Sequence, residues 1–152
     1  MINSPTSERM LTRYGLAMYH AQCLEKQIQV MVGMVLNSSF STQSSEERKT
    51  YMESFDTRTL GQLFKQMEKR IKIPDKIKEK SAEILDVRNQ LAHSFFFKFS
   101  DFTKTDEGCN KLIIYLDSVI ENLIMLDDYY SQIATLWSGF HGPPILFSPN
   151  KG

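Results

Sequence analysis

The chain has 152 residues, of which 41% are hydrophobic and 24% are charged. This length and composition are typical of one compact domain with a hydrophobic core. Eighteen basic residues balance eighteen acidic ones, so the total charge indicates no general attraction to nucleic acid or to an anionic membrane. We therefore expect a single domain in which any charged binding surface is local.

The cysteines and the apolar segments narrow the class of protein further. Cys23 and Cys109 lie far apart and have no cluster of histidine or cysteine around them, which disfavours a zinc site and a disulfide framework. The longest apolar stretch, residues 30–36, is too short to cross a membrane, and the N-terminus lacks the pattern of a signal peptide. We expect a cytoplasmic protein with no metal, no cofactor and no membrane partner.

A long first helix is predicted from Pro5, because proline is favoured in the first turn and apolar residues then recur at steps of three and four. These residues are Met10, Tyr14, Ala17, Ala21, Leu24, Ile28, Met31 and Val35. The polar segment 37–47 ends this helix, since its serine, threonine and asparagine side chains compete for backbone hydrogen bonds.

Two shorter helices are predicted next. Ser44 and Glu47 have the spacing of a capping box, which indicates a short helix over residues 46–55. Asp56 or Thr57 can cap the second of the main helices, which is predicted to continue until a proline interrupts it. Its apolar stripe is Leu60, Leu63, Phe64, Met67 and Ile71, and the proline is Pro74.

The third main helix is predicted from Asp75 to about Phe95, and Arg88 falls in the phase of its apolar residues. After a turn region at 100–110, a fourth helix follows. Its apolar residues are Leu112, Leu116, Val119, Leu123, Leu126, Tyr130 and Ile133. We predict an all-α antiparallel bundle of four to five helices over residues 1–138. A non-helical tail, 139–152, is expected to lie across the bundle or a partner chain.

The residues that can carry chemistry are Arg88, Asn89 and His93, at the end of the third helix. Five residues turn through about 500°, so Arg88 and His93 lie about 140° apart, while Asn89 and His93 share a face. Cleavage of RNA by its own 2′-hydroxyl needs a base, an acid and donors for the phosphate charge, which histidine and arginine supply. One histidine cannot be acid and base at once, so this chemistry predicts a homodimer.

The same pattern also has a structural interpretation. A histidine near the end of a helix interacts favourably with the helix dipole, and an arginine in an apolar phase can bury its aliphatic stem. On spacing alone, a structural role for Arg88 and His93 is favoured.

The segment from Arg88 to His93, RNQLAH, resembles the R-(N/D/H/Q)-x-x-x-H signature of the HEPN superfamily (higher eukaryotes and prokaryotes nucleotide-binding domains). The segment 59–64, TLGQLF, is similar to the second-helix stretch of small stand-alone HEPN proteins. The resemblance covers about 17–130 and implies an all-α bundle of four to five helices. It also implies a metal-independent endoribonuclease whose dimer joins two motifs, as in toxins, abortive-infection effectors and type VI CRISPR nucleases. A non-catalytic HEPN-like module that binds nucleotide, RNA or protein is the alternative.

The resemblance assigns roles to individual residues. Arg88 and His93 match the catalytic pair, and Asn89 matches the polar residue that follows the arginine. Glu25 matches an auxiliary acid that some HEPN nucleases place on the first helix, although it is also explained as an exposed helix acid near Lys26 and Arg13. Besides RNA and a second copy of the chain, the resemblance implies an antitoxin or sensor protein as a partner. Phenylalanine stands two residues after the histidine, where one toxin branch has a modifiable tyrosine, which argues against that branch.

Two further patterns remain open. Residues 65–80 carry seven cations against three acids, which indicates either a path for an RNA backbone or a solvated charged face. Five phenylalanines follow the motif, and they are expected to pack in the core, with a dimer interface or base stacking as the alternatives. They are Phe95, Phe96, Phe97, Phe99 and Phe102.

Overall fold

A computed structural model describes residues 1–37, 42–54 and 60–141. Within these ranges the chain forms six α-helices, one short 3-10 helix and no strand, which confirms the all-α class. The helices are α1 (Pro5–Leu36), α2 (Ser45–Glu53), α3 (Leu60–Glu68), α4 (Asp75–His93), α5 (Phe95–Lys98) and α6 (Asp106–His141), with the 3-10 helix at Phe102–Lys104. No helix in the described part of the chain has a stretch both long and apolar enough to cross a membrane.

Side-chain caps set the start of α1 and α2. The Ser4 hydroxyl accepts a hydrogen bond from the backbone of Ser7, whose own hydroxyl interacts with the Ser4 backbone. The predicted capping box at Ser44 and Glu47 is confirmed, because each side chain bonds the backbone N–H of the other residue. The predicted caps of the next helix, residues 56 and 57, lie outside the described residues.

The ends of α3 and α4 were predicted wrongly, and α6 begins at Asp106, inside the predicted turn region 100–110. Helix α3 ends at Glu68 rather than at the later proline, because the chain turns so that Ile73 can enter the core. The backbone N–H groups of Arg70 and Ile71 both donate to the carbonyl of Met67, which closes that turn. Helix α4 ends at His93, and after Ser94 the residues Phe95–Lys98 form the separate helix α5, which turns the Phe95 ring into the core.

The two longest helices, α1 and α6, run in the same direction. The backbone N–H of Ile2, just before α1, donates a hydrogen bond to the carbonyl of Thr103, just before α6. Further along both helices, Arg13 forms an ion pair with Asp117. Because the residue numbers in these two contacts increase together along both helices, the helix axes are parallel. Buried side chains of both helices make up most of the hydrophobic core.

Helix α4 runs opposite to α1 and α6. Near its end, the carbonyl of Leu91 accepts a hydrogen bond from Tyr14, early in α1. Near its start, Ser81 bonds Tyr130, late in α6. The predicted antiparallel order therefore holds for α4 and is wrong for α1 against α6. The reason is the length of α3, which spans only about 13 Å against about 48 Å for α1. Because α3 is too short to run the length of the bundle, only α1, α4 and α6 do so, and the first and third of these are parallel.

The C-terminal end of α6 also differs from the prediction. The helix continues through residue 139 to His141, so the first three residues of the predicted tail are helical. Glycine in a helix interior is tolerated when the helix has many turns before it, as α6 has here. The rest of the predicted tail, 142–152, lies outside the described residues.

Candidate functional site

Helix α4 turns Arg88 toward α1, where its guanidinium group meets Glu25. The Nη2 atom of Arg88 lies 2.8 Å from Oε2 of Glu25, and Nη1 donates to Oδ1 of Asn89 at 3.2 Å. The side chains of Arg88 and Glu25 are 30% and 26% exposed, so the pair lies at the edge of the core and within reach of solvent. The structure thus brings together three of the four residues assigned from the sequence.

His93 is the last residue of α4, and its side chain is exposed. It lies five residues beyond Arg88, which is about 7.5 Å along the helix axis and about 140° around it. Within one chain, the arginine and the histidine therefore project from different sides of the helix.

A tyrosine from α1 fixes the end of α4. The Tyr14 hydroxyl donates to the carbonyl of Leu91 at 2.8 Å, and its ring packs on Phe95 and Phe96 with centroids 5.1 and 4.8 Å away. This contact holds the helix turn that carries His93. From the sequence, Tyr14 was predicted only as an apolar position of α1, and its hydrogen bond to α4 was not predicted. A tyrosine within an apolar stripe is itself a signal, because a buried hydroxyl needs a hydrogen-bond partner.

A second support lies on the solvent side of α4. Lys98 of α5 donates to the side chain of Gln90, and Gln90 in turn donates to Asp86, each at 3.0 Å. This polar chain joins α5 to the motif turn. Gln90 is the first of the three variable positions of the motif, and nothing in the sequence pattern distinguished it.

Glu25 also borders a shallow groove on α1 of about 310 Å³, lined by Tyr19, Gln22, Cys23, Glu25 and Lys26. Of the two cations near which the sequence placed Glu25, Arg13 pairs instead with Asp117. The ion pair of Glu25 is with Arg88, on another helix. Burial raises the pKa of the Cys23 thiol, which makes this cysteine a poor nucleophile at neutral pH.

The five phenylalanines after the motif divide into two sets. Phe95 is buried, and Phe96 and Phe99 pack against the core, as expected for core residues. Phe97 is 89% exposed and Phe102 is also exposed, which core packing does not explain. An apolar surface therefore lies directly beyond His93.

Three further polar side chains are buried on α1 and α6. They are His20, Gln27 and Asp127, and no sequence pattern assigned them a role. Asp127 is 1% exposed, and neither of its carboxylate oxygens has a hydrogen-bond partner among the described residues. Burial raises the pKa of this carboxyl to about 6, with a smaller contribution from the charge of Asp128. Burial also lowers the pKa of His20.

Comparison of the chain with protein-family models, with curated proteins and with solved structures finds no match. Any assignment of function therefore depends on the residues of the site and on the chemistry that they can perform.

Proposed function

We propose that this protein is a metal-independent endoribonuclease of the HEPN type, which cleaves RNA as a homodimer. One observation carries the proposal: Arg88 and Asn89 are hydrogen bonded to each other at the protein surface, and Glu25 of another helix holds the arginine. His93 lies exposed at the end of the same helix. A guanidinium group and an imidazole that solvent can reach are the groups that acid–base cleavage of a phosphodiester requires.

In the proposed reaction, one His93 removes the proton of a ribose 2′-hydroxyl, and the 2′-oxygen attacks the adjacent phosphorus. The bond from phosphorus to the 5′-oxygen breaks, and a second His93 donates a proton to that oxygen. The products are a 2′,3′-cyclic phosphate and a 5′-hydroxyl. Arg88 stabilises the charge that develops on the phosphate oxygens, and Asn89 orients the arginine. The proton donor, the acceptor and the cation are all side chains, so the step uses no metal ion.

The dimer follows from the number and direction of these groups. One chain places one exposed histidine at the motif, on the side of α4 away from Arg88. A two-fold axis near the end of α4 would set the His93 of each chain beside the Arg88 of the other. The exposed rings of Phe97 and Phe102 supply apolar surface for such an interface.

The same proposal extends to the cellular role. An endoribonuclease without a built-in restraint would damage its host, so we assign it to growth arrest or antiviral defence, as a toxin or abortive-infection effector. An antitoxin or a sensor protein in the cytoplasm would restrain it. Induced expression is expected to stop growth, and His93→Ala is expected to remove the toxicity.

The direct test is cleavage of mixed RNA in the presence of EDTA. Wild-type protein is expected to cleave, and His93→Ala is expected to reduce the rate by about 10² to 10⁴, the usual contribution of a general acid or base. Glu121→Ala, an exposed residue on α6, is the control and should leave the rate unchanged. Activity that EDTA abolishes, or that survives His93→Ala, removes this form of the proposal.

The composite site is tested by mixing subunits. A ninefold excess of His93→Ala chains, equilibrated with wild type, places nearly every wild-type chain in a mixed dimer. If each site needs two histidines, activity per wild-type chain should fall to about one tenth. Activity that stays proportional to the wild-type protein would show that one motif is sufficient.

A second candidate function is a non-catalytic HEPN-like module that binds nucleotide, RNA or protein. The ion pair of Arg88 with Glu25 favours it, because a guanidinium group that is already neutralised within its own chain can have a structural role. For such a module, RNA binding would be unaffected by His93→Ala, and no preparation would cleave RNA.

A further inference from the structure

The cations of residues 65–80 form the densest group of positive charges in the chain, and most of them have no acidic partner among the described residues. The set is Lys65, Lys69, Arg70, Lys72, Lys76, Lys78 and Lys80, which we call the basic turn. Lys80 pairs with Glu83, and the other six form no ion pair with a described residue. Seven of the eighteen cations of a neutral chain thus gather where α3 passes into α4. A local positive field of this kind persists although the net charge is zero.

The turn that carries these cations is held by the core. Met67 and Ile73 are buried on either side of it, and the carbonyl of Met67 accepts hydrogen bonds from two backbone N–H groups of the turn. Lys69, Arg70 and Lys72 project from this anchored segment and are exposed. A binding surface on an anchored turn loses less conformational entropy on complex formation than a basic tail does.

The chemistry of this surface fits a chain of phosphates. The apolar side chains of residues 65–80 are buried or partly buried, except for Pro74. A protein interface would need an apolar centre, and a membrane surface would be bound through an apolar face inserted among the lipids. The basic turn offers neither, whereas contacts with a nucleic-acid backbone consist mainly of lysine and arginine at phosphates.

The position of the basic turn relative to the motif points to the same ligand. Lys80 precedes Arg88 by eight residues of α4, and Lys76 precedes it by twelve, which are about 12 and 18 Å along the helix axis. We infer that the basic turn binds the phosphate backbone of single-stranded RNA on one side of the bond that is cut. This inference rests on the proposed function for its choice of RNA as the polyanion. It assigns substrate affinity to α3 and α4, away from the reacting groups.

The test measures binding without cleavage. A short fluorescent 2′-O-methyl oligoribonucleotide cannot undergo attack by a 2′-hydroxyl, so its anisotropy reports affinity alone. The variant K69Q/R70Q/K72Q removes three charges from the basic turn. The matched control R9Q/K49Q/K111Q removes three exposed charges from elsewhere and changes the net charge equally. Thermal unfolding of both variants should match wild type.

The basic-turn variant is expected to bind the oligonucleotide at least about tenfold more weakly, and the control less than about twofold. The slope of log K against log salt should fall by about 2 in the basic-turn variant, since each lost phosphate contact on a single strand removes about 0.7. Equal losses in the two variants would overturn the inference, because net charge alone would then explain binding.

The outcomes separate this inference from the proposed nuclease. If RNA is cut but the basic-turn variant binds like wild type, the inference fails and the nuclease stands. If binding needs the basic turn but no RNA is cut, the nuclease fails, and the basic turn stands as an RNA-binding surface alone. Binding to phosphatidylserine vesicles through the basic turn, without binding to the oligonucleotide, would also overturn it.

Discussion

Two groups of polar side chains involve helix α1, and they contrast in burial and in partners. At the surface, Glu25 holds Arg88 in an ion pair, and His93 is open to solvent. In the interior, Gln27 and Asp127 are buried, and their side-chain polar atoms have no partner among the described residues. A buried polar group without a partner opposes folding, whereas an exposed pair affects stability little. The surface group should therefore control activity, and the buried group should control stability.

The largest expected effect is at Arg88, where a substitution should change the cleavage rate strongly and the stability little. Arg88→Ala should lower the rate of RNA cleavage by about 10² to 10³, since it removes donors to the transition-state charge. The free energy of unfolding should fall by less than about 1 kcal/mol, because the pair is partly exposed. Arg88→Lys should recover only part of the rate, because an ammonium group lacks the forked donors of arginine. Cleavage assays and urea denaturation measure the two quantities.

Arg13→Ala is the control for Arg88, because it breaks another partly exposed ion pair of α1, with Asp117. It should change stability by a similar amount and leave cleavage unchanged. If Arg88→Ala instead lowers stability and leaves cleavage intact, the surface group has a purely structural role.

The next largest effect concerns Asp127. Its pKa is about 6 in the folded protein and ordinarily 3.8, so between these values the folded state binds more protons than the unfolded state. Stability from this group is complete below about pH 4 and is lost as the pH rises through 6. Asp127→Asn should therefore raise the free energy of unfolding at pH 7 by up to about 3 kcal/mol and by little at pH 4.

The measurement is urea unfolding of wild type and Asp127→Asn at both pH values. His20 acts in the opposite direction, because its lowered pKa reduces stability as the pH falls, and the difference between the two proteins removes its contribution. Glu121→Gln, an exposed acid on the same helix, should show no such dependence. A stability difference independent of pH would show that Asp127 is not the titrating group.

A smaller effect is expected at Gly108, where α6 packs against the short 3-10 helix. A methyl group at Gly108 would lie 2.1 Å from the carbonyl oxygen of Phe102, which is backbone and cannot move freely. Gly108→Ala should lower the free energy of unfolding by about 1 to 3 kcal/mol. Gly15→Ala, with open space around its new methyl group, should raise it by up to about 1 kcal/mol, because alanine favours the helix. Thermal denaturation of both variants measures these changes in stability. Destabilisation by Gly15→Ala would contradict the open space around residue 15.

The smallest effect is the coupling between Glu25 and Arg88. A double-mutant cycle with Glu25→Gln and Arg88→Gln should give about 0.5 to 1 kcal/mol, and high salt should reduce it. A coupling energy above about 3 kcal/mol that high salt does not reduce would contradict the assignment of Glu25 and Arg88 to the surface, because such a pair behaves as a buried salt bridge.

Much of the secondary structure could be predicted from local signals. Ser4 and Pro5 mark the start of α1, and the pair Ser44 and Glu47 marks α2. The periodic apolar residues of α6 become buried along its length. Caps and periodicity depend on residues at most a few positions apart, so the sequence states them directly. The candidate residues Arg88, Asn89 and His93 were found in the same way, as a short motif at a helix end.

The sequence by itself thus determined the main helices and the starts of α1, α2 and α4, and it named Arg88, Asn89 and His93 as candidate site residues. Only the tertiary structure decided that α1 and α6 are parallel, that Glu25 pairs with Arg88 63 positions further along the chain, and that Asp127 is buried. The physical reason is that a helix acquires its direction and its buried face from the helices packed against it. Those contacts join residues far apart in the chain, and no local pattern encodes which of them will meet.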